Sequence, residues 1–192
     1  MNYASARRAM IDSQLRTSGV NAEFVLARMN AVAREDYVPE EARKLAYIDR
    51  SIPLANGRRL AAPVFYGRML EEARPTLGDT VLVVDSGSGY LPALVQPLVE
   101  NVETILPDEA VQTGDKQEGF TLLLIDGAVE AIPDTLVERL ATNGRLVTGL
   151  WSGGVTRLAT GRRSDRGAAL LALAEMGIPH LPEFDKPKVW NF

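Results

Sequence analysis

Four short apolar runs constrain this chain more than any other feature: "TVLVVD" (80–85), "VETIL" (102–106), "TLLLID" (121–126) and "RLVTGL" (145–150). Each has the length of a buried strand, and the first, third and fourth are nearly unbroken by polar residues. Between them lie segments of helical character. "LPALVQPLV" (91–99) is one, interrupted by Pro97; "IPDTLVERLATNG" is another, predicted to start at Pro133 and stop at Gly144. Strands alternating with helices predict an α/β fold, a parallel sheet covered on both faces. Ahead of it, residues 5 to about 45 show apolar residues at helical spacing (Met10, Leu15, Val25, Leu26, Met29, Val32), with Asn21 placed as an N-cap. Pro39 opens a short helix over "EEARKLAY", residues 46–62 read as a loop, and 63–74 as a further helix.

The first strand runs into "DSGSGY" (85–90) and then a helix. In open α/β sheets, ligands sit beyond the carboxyl ends of the strands, where glycines let backbone amides approach them. Two spaced glycines serve a cofactor turn and a plain structural turn equally well. An acidic residue closing the second strand normally grips the ribose hydroxyls. Here "VETIL" closes with Leu106 and Pro107, and Asp108 arrives two residues late.

Composition removes several chemistries. The 192 residues suit one core, read as a single domain with an N-terminal helical and loop region (1–62) and a core (63–192). No cysteine is present, so disulfides, zinc–thiolate sites and a thiol nucleophile are excluded. The single histidine, His180, cannot build a metal cluster and is assigned a structural or surface role. A net charge of -4 argues against nucleic acid as partner. The pairs Arg7-Arg8, Arg58-Arg59 and Arg162-Arg163 read as solvated surface. No apolar stretch approaches a membrane span, and "MNYASARRAMIDSQLR" lacks the apolar core of a signal peptide, so a cytoplasmic location is expected.

Several stretches, in order, resemble the protein-L-isoaspartate O-methyltransferase family. They are the N-terminal "RRAMIDSQLR…RRLAAP", "VLVVDSGSGY" (similar to the family's "VLEIGTGSGY"), "AIPDTLVERLATNGRLVTGL" and "GIPHLPEF". The resemblance implies a class I, Rossmann-like methyltransferase fold ending in an antiparallel hairpin. On that ground 155–161 and 167–174 are expected to be strands, although "GAALLALAEMG" (167–177) favours helix by propensity. It also implies S-adenosylmethionine as methyl donor and isoaspartyl residues of damaged proteins as substrate.

Against the family pattern the chain departs at the functional positions. Ala61 stands where the family's "tiSqP" has serine, and Ala62 where it has glutamine. Val83 takes the place of the turn's acid and Asp85 that of its first glycine. A second register makes Asp85 the acid of D-x-G-x-G with Gly87 and Gly89, leaving Leu91 for the last glycine; Tyr90 favours the first register. Leu106 replaces the ribose-binding acid. Gly114-Asp115 resembles the adenine-contacting loop, but a helix–strand unit is missing around it. Asp126, ending a central strand, either faces the site or caps a turn. These departures predict weak or absent cofactor binding. Two readings follow: a methyltransferase of the family, or a non-catalytic relative used for binding or assembly, with a shortened sheet edge after "VETIL" that favours homo-oligomers. A dinucleotide-dependent oxidoreductase is a weaker third, lacking a proton donor at a recognisable spacing.

Overall fold

The computed structural model describes residues 2–113, 117–165 and 167–187. Helices α1 (Tyr3–Met10) and α2 (Glu23–Ala31) lead into a two-stranded ribbon, β1 (Ile52–Pro53) and β2 (Arg59–Leu60), inside the segment predicted as loop. Then follow α3 (Pro63–Ala73), β3 (Thr80–Val84), α4 (Tyr90–Val95), β4 (Asn101–Ile105), α5 (Pro107–Ala110), β5 (Phe120–Val129), α6 (Asp134–Val137), β6 (Leu140–Ser152), β7 (Val155–Ser164) and β8 (Gly167–Glu175).

The main sheet has the order β4-β3-β5-β6-β7-β8. Strands β4, β3, β5 and β6 are parallel, and β7 and β8 add antiparallel. Side chains alternate across a strand. Val81 and Val83 therefore face one core, with Leu122, Leu124 and the N-terminal helices. Leu82 and Val84 face the other, with Leu123, Ile125 and Leu136. Both faces are buried, which is why these runs lack polar alternation. The expected class I α/β architecture is observed, with its C-terminal hairpin.

Two expectations are corrected, and the expectation of a strand over 167–174 is met. Asn21 does not cap α2: Ala22 is the N-cap residue, and Glu71 of α3 accepts from the amides of Asn21 (2.6 Å) and Ala22 (2.8 Å) instead. The helix predicted from Pro133 to Gly144 spans only Asp134–Val137, because Leu140 already pairs with Phe120. Asn143 turns the chain at φ 64, and a Cβ on Gly144 would lie 2.8 Å from the Ala141 carbonyl oxygen. "NG" thus shapes an irregular strand entry rather than a helix stop. Over 167–175 the alanine-rich run is strand, since pairing along β7 outweighs a small helix preference.

Among the described residues the main sheet ends at β4. Arg139 packs beside that edge. It is buried, ion-paired with Glu103 of β4, donates to the Gln117 carbonyl (3.0 Å) and lies over the Phe120 ring at 5.3 Å. Removing it strands a partly buried carboxylate and opens the packing beneath. Arg139→Ala is therefore expected to cost about 2–4 kcal/mol. Urea unfolding should show a lower midpoint with an unchanged slope.

Candidate functional site

The turn after β3 is built by two glycines in left-handed backbone conformations, Gly87 (φ 95) and Gly89 (φ 75). Such a turn aims successive amides at one point, the arrangement that binds anions. Here that point is filled from within: Asp85 Oδ2 accepts from the Gly87 amide at 2.8 Å and the Gly89 amide at 2.9 Å. Asp85 sits just beyond β3 and is nearly sealed from solvent. Burial raises its pKa, partly offset by the amides of Gly89, Gly87 and Ser88 and by Arg58. Its other oxygen, Oδ1, is buried without a hydrogen-bond partner among the described residues.

Two further side chains close over the turn. Asn56, from the ribbon connecting β1 to β2, donates to the Ser86 carbonyl at 2.9 Å. Its amide nitrogen lies 2.2 Å from where a Gly87 Cβ would be, with Leu106 Cδ2 at 3.9 Å. Arg58 then ties the ribbon down, reaching Asp108 at 2.8 Å and Glu183 at 2.9 Å. Beside Asn56 a cavity of about 330 Å³ still borders the turn at Gly87 and Ser88, with Asp36, Tyr37 and Leu54 also in its lining. Leu106 itself precedes α5 and offers no acceptor from its side chain.

Beside the turn lies a buried polar chain. Asp126, within β5 three residues before its end, accepts from Tyr66 at 2.7 Å and from Ser86 Oγ at 2.7 Å. It thus bonds the turn through Ser86 and α3 through Tyr66. Burial, then the charge of Asp85, push its pKa to about 7, against the pull of Ser86 and Tyr66. Tyr66 also accepts from the Ala61 amide at 3.2 Å, and Arg34 donates to the Ala61 carbonyl. The Arg34 guanidinium lies 5.5 Å from the Tyr66 ring centre and 5.0 Å from that of Tyr90.

Ala61 is fully buried, while Ala62 is half-buried and borders a cleft of about 520 Å³ with Arg50, Arg59, Phe65 and Met176. Ala61, Asp85, Gly87, Gly89, Tyr90, Leu106 and Asp126 therefore converge around one turn; Val83 instead points into the core. Gly114 and Asp115 lie outside the described residues. Arg34, Asn56, Tyr66 and Ser86 were missed. The one signal that the sequence held for Asn56 was an Asn-Gly pair, which reads as a turn, and a buried arginine resembles a surface one. His180 is structural, stacked on Trp151 at 4.7 Å and bonded to Asp185 at 2.6 Å. The arginine pairs are not simply solvated: Arg7 binds Glu35, Arg58 the ribbon's partners, and Arg163 the Glu138 carbonyl.

Comparison with known proteins decides the lineage. Residues 5–113 match the family profile described as Protein-L-isoaspartate(D-aspartate) O-methyltransferase. The chain belongs to this family. It is 35% identical to a protein-L-isoaspartate O-methyltransferase of Gloeobacter violaceus (strain ATCC 29082 / PCC 7421), over 72% of this chain and 79% of that one. It is 34% identical to that of Koribacter versatilis (strain Ellin345), over 76% of each. A family protein of Plasmodium falciparum, solved in complex with S-adenosyl-L-homocysteine, superposes with a TM-score of 0.75 at 18% identity, covering 95% of this chain and 99% of that chain. The shared fold is that of a class I methyltransferase. No helix among the described residues is long and apolar enough to cross a membrane.

The Asp126 environment has a measurable consequence. In the unfolded chain its carboxyl titrates near about 3.9. Folded, it holds its proton up to about 7. Between these values the unfolded chain has released a proton that the folded chain keeps, so stability falls as pH rises, by up to about 4 kcal/mol. Asp126→Asn should remove this loss. Thermal melts are expected to show the variant gaining on the wild type steadily from pH 5 to pH 8.

Proposed function

We propose that this chain is a protein-L-isoaspartate O-methyltransferase family member whose S-adenosylmethionine turn is held closed by its own side chains. The reaction of the scaffold is methyl transfer from S-adenosylmethionine to the isoaspartyl carboxylate of damaged proteins, and in this chain it is weak or absent. One observation carries the reading: the Asp85 carboxylate bonds the Gly87 and Gly89 amides at 2.8 and 2.9 Å. A ligand must displace these two charge-assisted bonds, worth about 3 kcal/mol together, or roughly a hundredfold in affinity. It must also displace Asn56 from above Gly87 and accept Leu106 in place of an acceptor for its ribose. The residues present therefore do not suit the S-adenosyl group.

The methyl-accepting side is altered as well. Ala61 offers no side-chain hydrogen bond where the family has serine, and its amide and carbonyl are engaged by Tyr66 and Arg34. Loss of one aimed polar group at a reacting centre costs about 3 kcal/mol in rate. The cleft beside Ala62 accords with a chain that still receives polypeptide segments, which favours a second reading: a binder of isoaspartyl proteins without turnover.

Calorimetric titration with S-adenosylmethionine, followed by methyl transfer to an isoaspartyl peptide, tests the proposal. The expected result is no heat at millimolar ligand and no transfer; micromolar binding with turnover sinks it. Asp85→Gly combined with Leu106→Glu should restore measurable binding by freeing the turn and supplying a ribose acceptor.

A further inference from the structure

The two edges of the main sheet are protected to very different degrees. At one end, β4 is short, and its Glu103 is held by Arg139. Exposed Asn101 and Thr104 add polar character there. That edge is thus guarded by charge, a common defence against strand pairing.

At the other end, β8 has a single neighbour, β7, so alternate backbone N–H and C=O groups along nine residues face outward. Its run from Ala168 to Ala174 contains no charged or polar side chain. Residues two apart share a face, and Leu171 and Leu173 are 65% and 38% exposed on the same one. Long and apolar, this edge has no charge to guard it from Ala168 to Ala174, and its one irregularity is a bulge between Ala172 and Glu175.

We propose that two copies of this chain pair β8 with β8 in antiparallel fashion about a two-fold axis at Leu171, making one sheet continuous across both. The occupant is a second copy because the strand is complementary to its own reverse. Turned about Leu171, Ala169 falls opposite the partner's Leu173, Leu170 opposite the partner's Ala172, and Leu171 opposite itself. Large side chains meet small ones, no charges confront each other from Ala168 to Ala174, and Leu171 and Leu173 of both chains gather on one face. The contact is isologous and closes at two copies, because the two-fold pairing uses up the free edge of β8 on both chains. A strand-edge contact falls below the roughly 800 Å² per partner of a standard interface, so dissociation at micromolar concentration is expected.

Sedimentation velocity from about 1 to 200 µM should show a monomer–dimer equilibrium. Leu171→Lys should weaken it at least about tenfold while the melting temperature, measured in parallel, stays at the wild-type value. The absence of cysteine in the chain allows a second readout. Opposed residues in an antiparallel pair have Cα atoms about 4.5–5.5 Å apart, within disulfide reach. Leu171→Cys should therefore cross-link to a covalent dimer under mild oxidation, whereas Leu77→Cys, at a site 75% exposed but away from β8, should not. A wild type monomeric throughout, a Leu171→Lys variant that associates as well as wild type, or equal cross-linking of the two cysteine variants would each overturn the pairing.

Discussion

The Asp126 carboxylate holds three elements in one place. It lies within β5, receives the Tyr66 hydroxyl from α3, and receives the Ser86 hydroxyl from the turn after β3. Because the group is buried, each of these bonds forms in a medium where leaving it unmade is costly. Tyr66 in turn fixes the Ala61 backbone, and Arg34 braces both Ala61 and the Tyr66 and Tyr90 rings. The position of the glycine turn relative to the N-terminal helices follows from this chain of contacts.

That network explains why the turn persists after its usual partners have changed. Amides converging on one point need an acceptor, and Asp85 supplies it from the same strand end. The carboxylate that disfavours an external ligand is also what satisfies the backbone without one. Asn56 and Arg58 complete the closure from the β1–β2 ribbon. These internal bonds satisfy the turn's amides and hold its geometry.

Arg139 plays a comparable part at the β4 edge of the sheet. Its aliphatic stem and guanidinium cover Phe120, while Glu103 and the Gln117 carbonyl take up its hydrogen bonds. A single long side chain that is both apolar and charged can fill space beside a sheet edge and remain paired. Nothing in "VERLATNG" marks this arginine as different from its surface counterparts, since its role depends on strands far away in the chain.

Sequence alone determined the α/β alternation, the buried parallel strands, the place of the glycine turn and the kinship to a methyltransferase family. Those properties are written in local runs: continuous apolar stretches, glycines at fixed spacing, a repeated order of motifs. It also set Ala61, Val83, Asp85 and Leu106 at positions where the resemblance implies other residues. Tertiary structure alone decided that Asp85 turns back onto its own loop, that Asn56 covers Gly87, and that the helix after Pro133 ends at Val137. The physical reason is that each of these outcomes is a competition between partners brought together by folding. Propensity and spacing describe one segment at a time, whereas a hydrogen bond or a strand pairing is settled by what else lies within reach.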